Sequence, residues 1–130
     1  MRKEAKLTSK LNKWCKATFP QLFPNKTVAI EVKQCKTSLS YNAVQEHQEL
    51  ALFNAKHTHL LWKIPDCGFQ NPFDVIYVSN ALAFVVIYYE INKTFCFIDI
   101  DDFQKEKALS KRKSLSAQRA LEISSRTVRL

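Results

Sequence analysis

Glu31-Val32-Lys33 is the triplet in this chain whose residue types and spacing can do chemistry. On a strand, the period of two sets the carboxylate and the ammonium side by side on one face. Burying both there is costly unless they pair or bind something. A hard divalent ion such as Mg²⁺ takes carboxylate oxygen and water, and a neighbouring lysine can orient a hydroxide or offset phosphate charge. That is the local chemistry of metal-dependent phosphodiester hydrolysis. On an edge strand the same triplet is also an ordinary salt pair, so the surrounding elements decide its meaning.

The segment Thr27 to Lys33 alternates as a strand, with Val28, Ile30 and Val32 on one face and Ala29, Glu31 and Lys33 on the other. Ahead of it, residues 3 to 16 carry Leu7, Leu11 and Trp14 at helical spacing, and extending that stripe back three residues sets Glu4 on the inward side. Pro20 and Pro24 are expected to end this helix. A second helix is expected from Ser40 to Lys56, with Tyr41, Val44, Ala51, Leu52 and Ala55 as its apolar stripe and Gln48 in the middle of it. Leu60 to Ile64, Phe73 to Val78 and Ala83 to Tyr89 read as strands. The last is apolar on both faces and so belongs in the centre of a sheet. Phe95 to Ile100 is a weaker strand, Ser110 to Ser114 a basic linker, and Ser116 an N-cap for a short helix to about Ser125.

The chain has 130 residues, 46% of them hydrophobic, which suits one domain with a real core. Its single glycine, Gly68, excludes a Gly-rich phosphate loop and the nucleotide-binding folds built on one. No apolar run approaches the roughly 20 residues of a membrane span, so no membrane partner is expected. Met1-Arg2-Lys3-Glu4 leads into a charged amphipathic stretch with no apolar signal core, which points to the cytoplasm. Cys15, Cys35, Cys67 and Cys96 form no C-x-x-C pair, so four reduced thiols are expected.

The formal net charge is +8, and it is unevenly placed. Residues 1 to 16 hold six basic residues against one acid, and residues 104 to 130 hold eight against two, while the middle is slightly acidic. Basic flanks around a carboxylate site suit a polyanion such as nucleic acid. Lys10, Lys13, Lys36, Lys111, Arg112 and Lys113 are the expected phosphate contacts, the last three in a basic C-terminal extension of about 104–130.

Helix, E-x-K strand, then helix with His47-Gln48 is an order that resembles the PD-(D/E)XK nuclease superfamily, particularly its Holliday-junction resolvase-like phage nucleases. The residues that carry the resemblance are AIEVKQCK at 29–36 and VQEHQELAL at 44–52, about a third of the chain. LLWKIPDCGFQNPFDVIYV, AFVVIYYE and FCFIDIDDF also look like small phage proteins of this group. The resemblance implies an α/β fold: a mixed sheet of four or five strands flanked by helices, as a restriction-endonuclease-like core. It further implies a Mg²⁺- or Mn²⁺-dependent endonuclease acting on branched DNA as a homodimer, phage-encoded and working in a host cell. Glu31 and an acid would bind metal, Lys33 would assist the attacking water, Gln48 would position a water or phosphate, and Glu4 would be an outer acid.

The chain departs from the family in one place. The usual acid from the strand before E-x-K is missing, since residues 15 to 30 contain no Asp or Glu. Asp74, at a strand start, is preferred as the second metal ligand over Asp66, which follows Pro65 in a loop. Such a displacement implies an altered strand order. The competing reading is a nucleic-acid-binding accessory protein that keeps the scaffold without catalysis.

The remaining motifs carry less. His57-Thr58-His59 has no third metal ligand nearby, and Asp99, Asp101 and Asp102 suit a turn and helix-capping group. Trp14, Trp62, Tyr88 and Tyr89 fall within apolar patterns and read as core.

Overall fold

The computed structural model describes residues 3–63 and 75–130, with side chains for 6–61 and 76–130. Helix α1 (Lys3–Leu22) leads into strand β1 (Val28–Cys35), the short strand β2 (Ser38–Ser40) and helix α2 (Glu46–His57). Strands β3 (Leu60–Lys63), β4 (Val75–Val78), β5 (Leu82–Tyr89) and β6 (Thr94–Asp99) follow. Helix α3 (Ile100–Leu109), β7 (Ser114–Ser116), α4 (Ala117–Ile123) and β8 (Arg126–Val128) complete the chain.

The main sheet is mixed and four-stranded, in the order β1-β5-β6-β8. β5 pairs parallel with β1 and antiparallel with β6, and its residues from Ala83 to Ile87 are all buried, as expected of a central strand. The pleat of β1 sorts its side chains as alternation requires. Val28, Ile30 and Val32 meet Leu7, Leu11, Trp14 and Phe19 of α1 over Phe84, Val86, Phe95 and Phe97. Ala29 and Cys35 face the opposite core, where Leu52 and Phe53 of α2, Phe103 of α3 and Ala120 of α4 cover Val85, Ile87 and Ile98. The result is three layers: α1, the sheet, and then α2, α3 and α4.

Several elements differ from expectation. α1 continues through Pro20 to Leu22; near the exposed C-terminal end, the missing proline N–H is cheaper than in a buried helix interior. The stretch expected to open the second helix at Ser40 is instead β2 and a 3-10 turn over Tyr41–Ala43, so α2 starts only after Gln45. Tyr41 and Val44 are still buried, through that turn. β3 and β4 pair with each other and form a hairpin separate from the main sheet. Ile100–Leu109, not expected as an element, is a helix capped by the Asp99 carboxylate on the Asp101 N–H at 2.9 Å.

Residues 104–130 are built into the fold. The expected linker is a turn over residues 110–113 and passes at Ser114 into β7, which pairs with β2; Ser116 caps α4 as expected, and β8 completes the sheet edge. With one glycine in the chain, turns fall to other residues. Asn25, Asn80 and Lys93 take left-handed backbone, with φ of 62°, 54° and 52°.

Candidate functional site

Glu31 is the fourth residue of β1, an edge strand, and it points with Lys33 toward the α2 side of the sheet. α2 brings Gln48 to the same place in its first turn. There Gln48 Oε1 accepts the Gln45 N–H at 3.0 Å, as half of a capping box that fixes which way the amide faces. Its Nε2 is thereby turned outward and donates to Glu31 Oε1 at 3.0 Å. Lys33 Nζ stands 3.4 Å from that same oxygen. The side chains of Glu31 and Lys33 are 29% and 20% exposed, so the group opens to solvent without being loose in it.

One carboxylate oxygen therefore carries both protein contacts, and Glu31 Oε2 has no protein partner among the described residues. A hard divalent ion takes one or two carboxylates, with waters and phosphate oxygens filling the other positions. Glu31 Oε2 fits one such position. Among the described residues no three His, Cys, Asp or Glu side chains group as a metal site. Asp74 and Asp66, expected as the second ligand, lie outside the described residues.

Glu4 is in the first turn of α1, on the opposite face of the sheet from α2, and its side chain lies outside the described residues. Lys10 and Lys13 are exposed on α1, and Lys36 is exposed just past β1. Lys111, Arg112 and Lys113 are exposed in the turn before β7. The structure thus joins Glu31, Lys33 and Gln48, while Lys10 and Lys13 are on α1, across the sheet from them.

A second constellation, unforeseen from sequence, closes the other end of α2. Lys56 Nζ donates to both Asp99 oxygens at 2.8 and 2.9 Å and to Asp101 Oδ2 at 2.6 Å. His57 Nε2 lies 2.7 Å from Asp101 Oδ1. Burial works against the Lys56 ammonium, but the hydrogen bonds and charges of Asp101 and Asp99 outweigh it and hold its pKa above the ordinary value. Burial likewise opposes the Asp101 carboxylate, and Lys56 and His57 outweigh it, holding its pKa below the usual range. The signal in the sequence was a Lys-His pair in a helix's last turn and a cluster of Asp in another's first, both favoured by the helix dipole. His59, the other imidazole, stacks on Tyr77 with ring centroids 5.7 Å apart.

Cys15, Cys35 and Cys96 are free thiols, and Cys67 lies outside the described residues. Burial, with Glu90 and Cys96 adding to it, pushes Cys35 up to about 11. Burial also raises Cys15 and Cys96, so none of the three is a thiolate nucleophile near neutral pH. Among the described residues no helix is long and apolar enough to cross a membrane.

No family model, curated protein or solved structure matches the chain.

Proposed function

We propose that the protein is a metal-dependent, structure-selective DNA endonuclease acting on branched DNA such as Holliday junctions. The observation that carries the reading is the meeting of Glu31, Lys33 and Gln48: Gln48 Nε2 and Lys33 Nζ stand 3.0 and 3.4 Å from one oxygen of a carboxylate whose other oxygen is unused. Three residues from two separate segments form one cluster, and they are the residues through which the chain resembles PD-(D/E)XK nucleases. On this reading the sheet, with α1 on one face and α2 on the other, is a restriction-endonuclease-like core in altered strand order.

Glu31 would hold Mg²⁺ or Mn²⁺ with Asp74 as the second carboxylate. When bound, the ion would supply Lewis acidity to the phosphoryl oxygen and would make a bound water more acidic than bulk water. Lys33 offsets the charge that builds on the phosphate and orients the attacking oxygen. Gln48, locked by its own helix cap, holds Glu31 in one rotamer. Glu4, for which the resemblance implies an outer-acid role, is on α1 across the sheet from Glu31 and is given no role in this cluster. A resolvase that cuts paired strands acts as a two-fold dimer, and we extend that expectation to this chain.

One observation favours a second reading, the non-catalytic accessory protein: among the described residues no three His, Cys, Asp or Glu side chains group as a metal site. The deciding experiment measures cleavage and binding on the same junction and linear substrates. Cleavage should require Mg²⁺ or Mn²⁺, be suppressed by Ca²⁺ or chelator, and be lost in Glu31→Ala, Lys33→Ala and Asp74→Ala while binding survives. Loss in Asp66→Ala with none in Asp74→Ala would move the second ligand to the Pro65 loop. A wild-type protein that binds junctions but never cuts them with any divalent ion would establish the accessory reading.

A further inference from the structure

Chain direction brings separated cations to one end of the molecule. β1 ends at Cys35, and Lys36 follows it, its carbonyl accepting the Ile91 N–H of the β5–β6 turn at 3.0 Å. Lys93 is in that turn, and Arg129, just past β8, donates to the turn's Asn92 carbonyl at 3.1 Å. α3 starts where β6 stops and runs back over the sheet, so the Lys111-Arg112-Lys113 turn after it returns to the same end. There the β2–β7 ribbon locks it in place. The Lys113 carbonyl accepts the Tyr41 N–H at 3.1 Å, the Thr37 carbonyl accepts the Ala117 N–H at 3.0 Å, and the Leu115 carbonyl accepts the Tyr89 hydroxyl at 2.9 Å.

All six side chains are exposed, and none has an acidic partner among the described residues. Lysines 33, 56 and 107 and Arg119 are by contrast all paired with acids. Among the described side chains the acids at this end are few or engaged. Glu90 accepts from Gln34 at 2.8 Å, Glu49 pairs with Lys107, Glu106 pairs with Arg119, and Glu46 is exposed at the start of α2. Unpaired cations held on strand ends and a hydrogen-bonded ribbon repel one another, and a polyanion relieves that repulsion.

We propose that this end of the sheet is the surface that holds the phosphate backbone of double-stranded DNA, with Lys36, Lys93, Arg129 and the Lys111-Arg112-Lys113 turn as its contacts. The choice of DNA as the polyanion rests on the endonuclease reading. Lys36 is five residues beyond Glu31 on the same chain run, about 16 Å at strand rise. That distance is about five phosphate steps along one strand of a duplex. Backbone held by Lys36 and its neighbours therefore passes Glu31 a few nucleotides away, which lets one surface serve binding and the other site serve cleavage.

The test is fluorescence anisotropy on a labelled duplex and a four-way junction, in chelator, across a salt series. Each lost phosphate contact should weaken binding about fivefold at about 0.15 M salt and flatten the slope of log affinity on log salt by about 0.9. Lys93→Asn with Arg129→Gln should thus lose about 30-fold, and Lys111→Gln/Arg112→Gln/Lys113→Gln about 100-fold. Asparagine tolerates the left-handed backbone of Lys93, and circular dichroism verifies that each variant is folded. Lys16→Gln/Lys26→Gln, exposed at the opposite end by the start of β1, should stay within about threefold of wild type because screening confines the effect of remote charges. Equal losses in the two sets, or no loss in the first, would overturn the surface. A protein that binds through these residues yet never cuts would overturn the endonuclease and leave the surface standing. Unchanged cleavage and binding in the first set would do the reverse.

Discussion

The two ends of helix α2 carry constellations built from the same kinds of groups, and they are resolved in opposite ways. At the C-terminal end, Lys56 and His57 meet Asp99 and Asp101 through contacts of 2.6 to 2.9 Å, and every charge has a partner. At the N-terminal end, Lys33 and the Gln48 amide crowd one oxygen of Glu31 and leave the other bare. The first arrangement spends its electrostatics on joining α2 to the start of α3. The second leaves a carboxylate oriented but incompletely used, which is the state a ligand-binding acid needs before its ligand arrives. Charge density alone would have ranked the aspartate cluster above Glu31, and satisfaction of hydrogen-bonding capacity reverses the order.

The largest expected effect separates the two ends by activity. Glu31→Gln should reduce cleavage by about 10³-fold or more, because the amide has no charge to offer a metal. Asp101→Asn should leave the cleavage rate within about twofold, since the two sites share no partner and distant changes act independently. Single-turnover cleavage on one junction substrate checks both. Equal losses in the two variants would break the comparison and make the aspartate cluster part of the reaction.

Stability should rank them the other way, with smaller effects. Lys56→Ala removes the cation between Asp99 and Asp101 and leaves two like charges facing each other at a helix start, a loss of about 1–3 kcal/mol in denaturant unfolding. Lys33→Ala should cost less than about 1 kcal/mol, since Lys33 has one acidic partner, at the longer distance of 3.4 Å. Gln48→Ala falls between, at about 0.5–1.5 kcal/mol, because it removes a helix cap as well as the Glu31 contact. A Lys33 variant less stable than the Lys56 variant would show that the Glu31 group is structural after all.

The difference between the two ends also marks what the sequence could reveal. Glu31 and Lys33 were legible because period two sets them side by side on the face of β1 opposite Val28, Ile30 and Val32, and Gln48 because the 3.6 period puts it on the same stripe as Ala51, Leu52 and Ala55. β5 was legible as the central strand because both its faces are apolar. The Lys56–Asp99 network was not, since its members are 43 residues apart and each has a local reading as a helix-end charge. β2 and β7 are three residues each and pair across the chain, so no run is long enough to show a period. β3 and β4 read correctly as strands, but local pattern does not say which sheet a strand joins. α3 buries only Ile100 and Phe103, too few for an apolar stripe to stand out among Asp, Lys and Glu.

The smallest expected effect is the pH dependence of the satisfied end. The Asp101 pKa is depressed in the folded protein, so its contribution to stability is present above the unfolded carboxylate value of about 3.9 and is lost as pH falls through the lower folded value. The Lys56 pKa is raised, so its contribution is complete below about 10.5 and disappears as pH rises through the higher folded value. Between those limits the contributions of Asp101 and Lys56 should be constant, and beyond each limit the contribution of the corresponding group should fall. With 40% of the Asp101 side chain exposed, solvent screening limits the acid-side loss from this one group to a few tenths of a kcal/mol. Urea unfolding of wild type and Asp101→Asn from about pH 3 to pH 6 isolates it, because carboxylates common to both cancel in the difference. The gap between the two proteins should narrow as pH falls, since protonation makes the wild-type group resemble the amide. A gap that widens toward acid would mean that Asp101 is destabilising as an anion, and the distinction between a satisfied end and an unsatisfied end of α2 would fail at its better-bonded member.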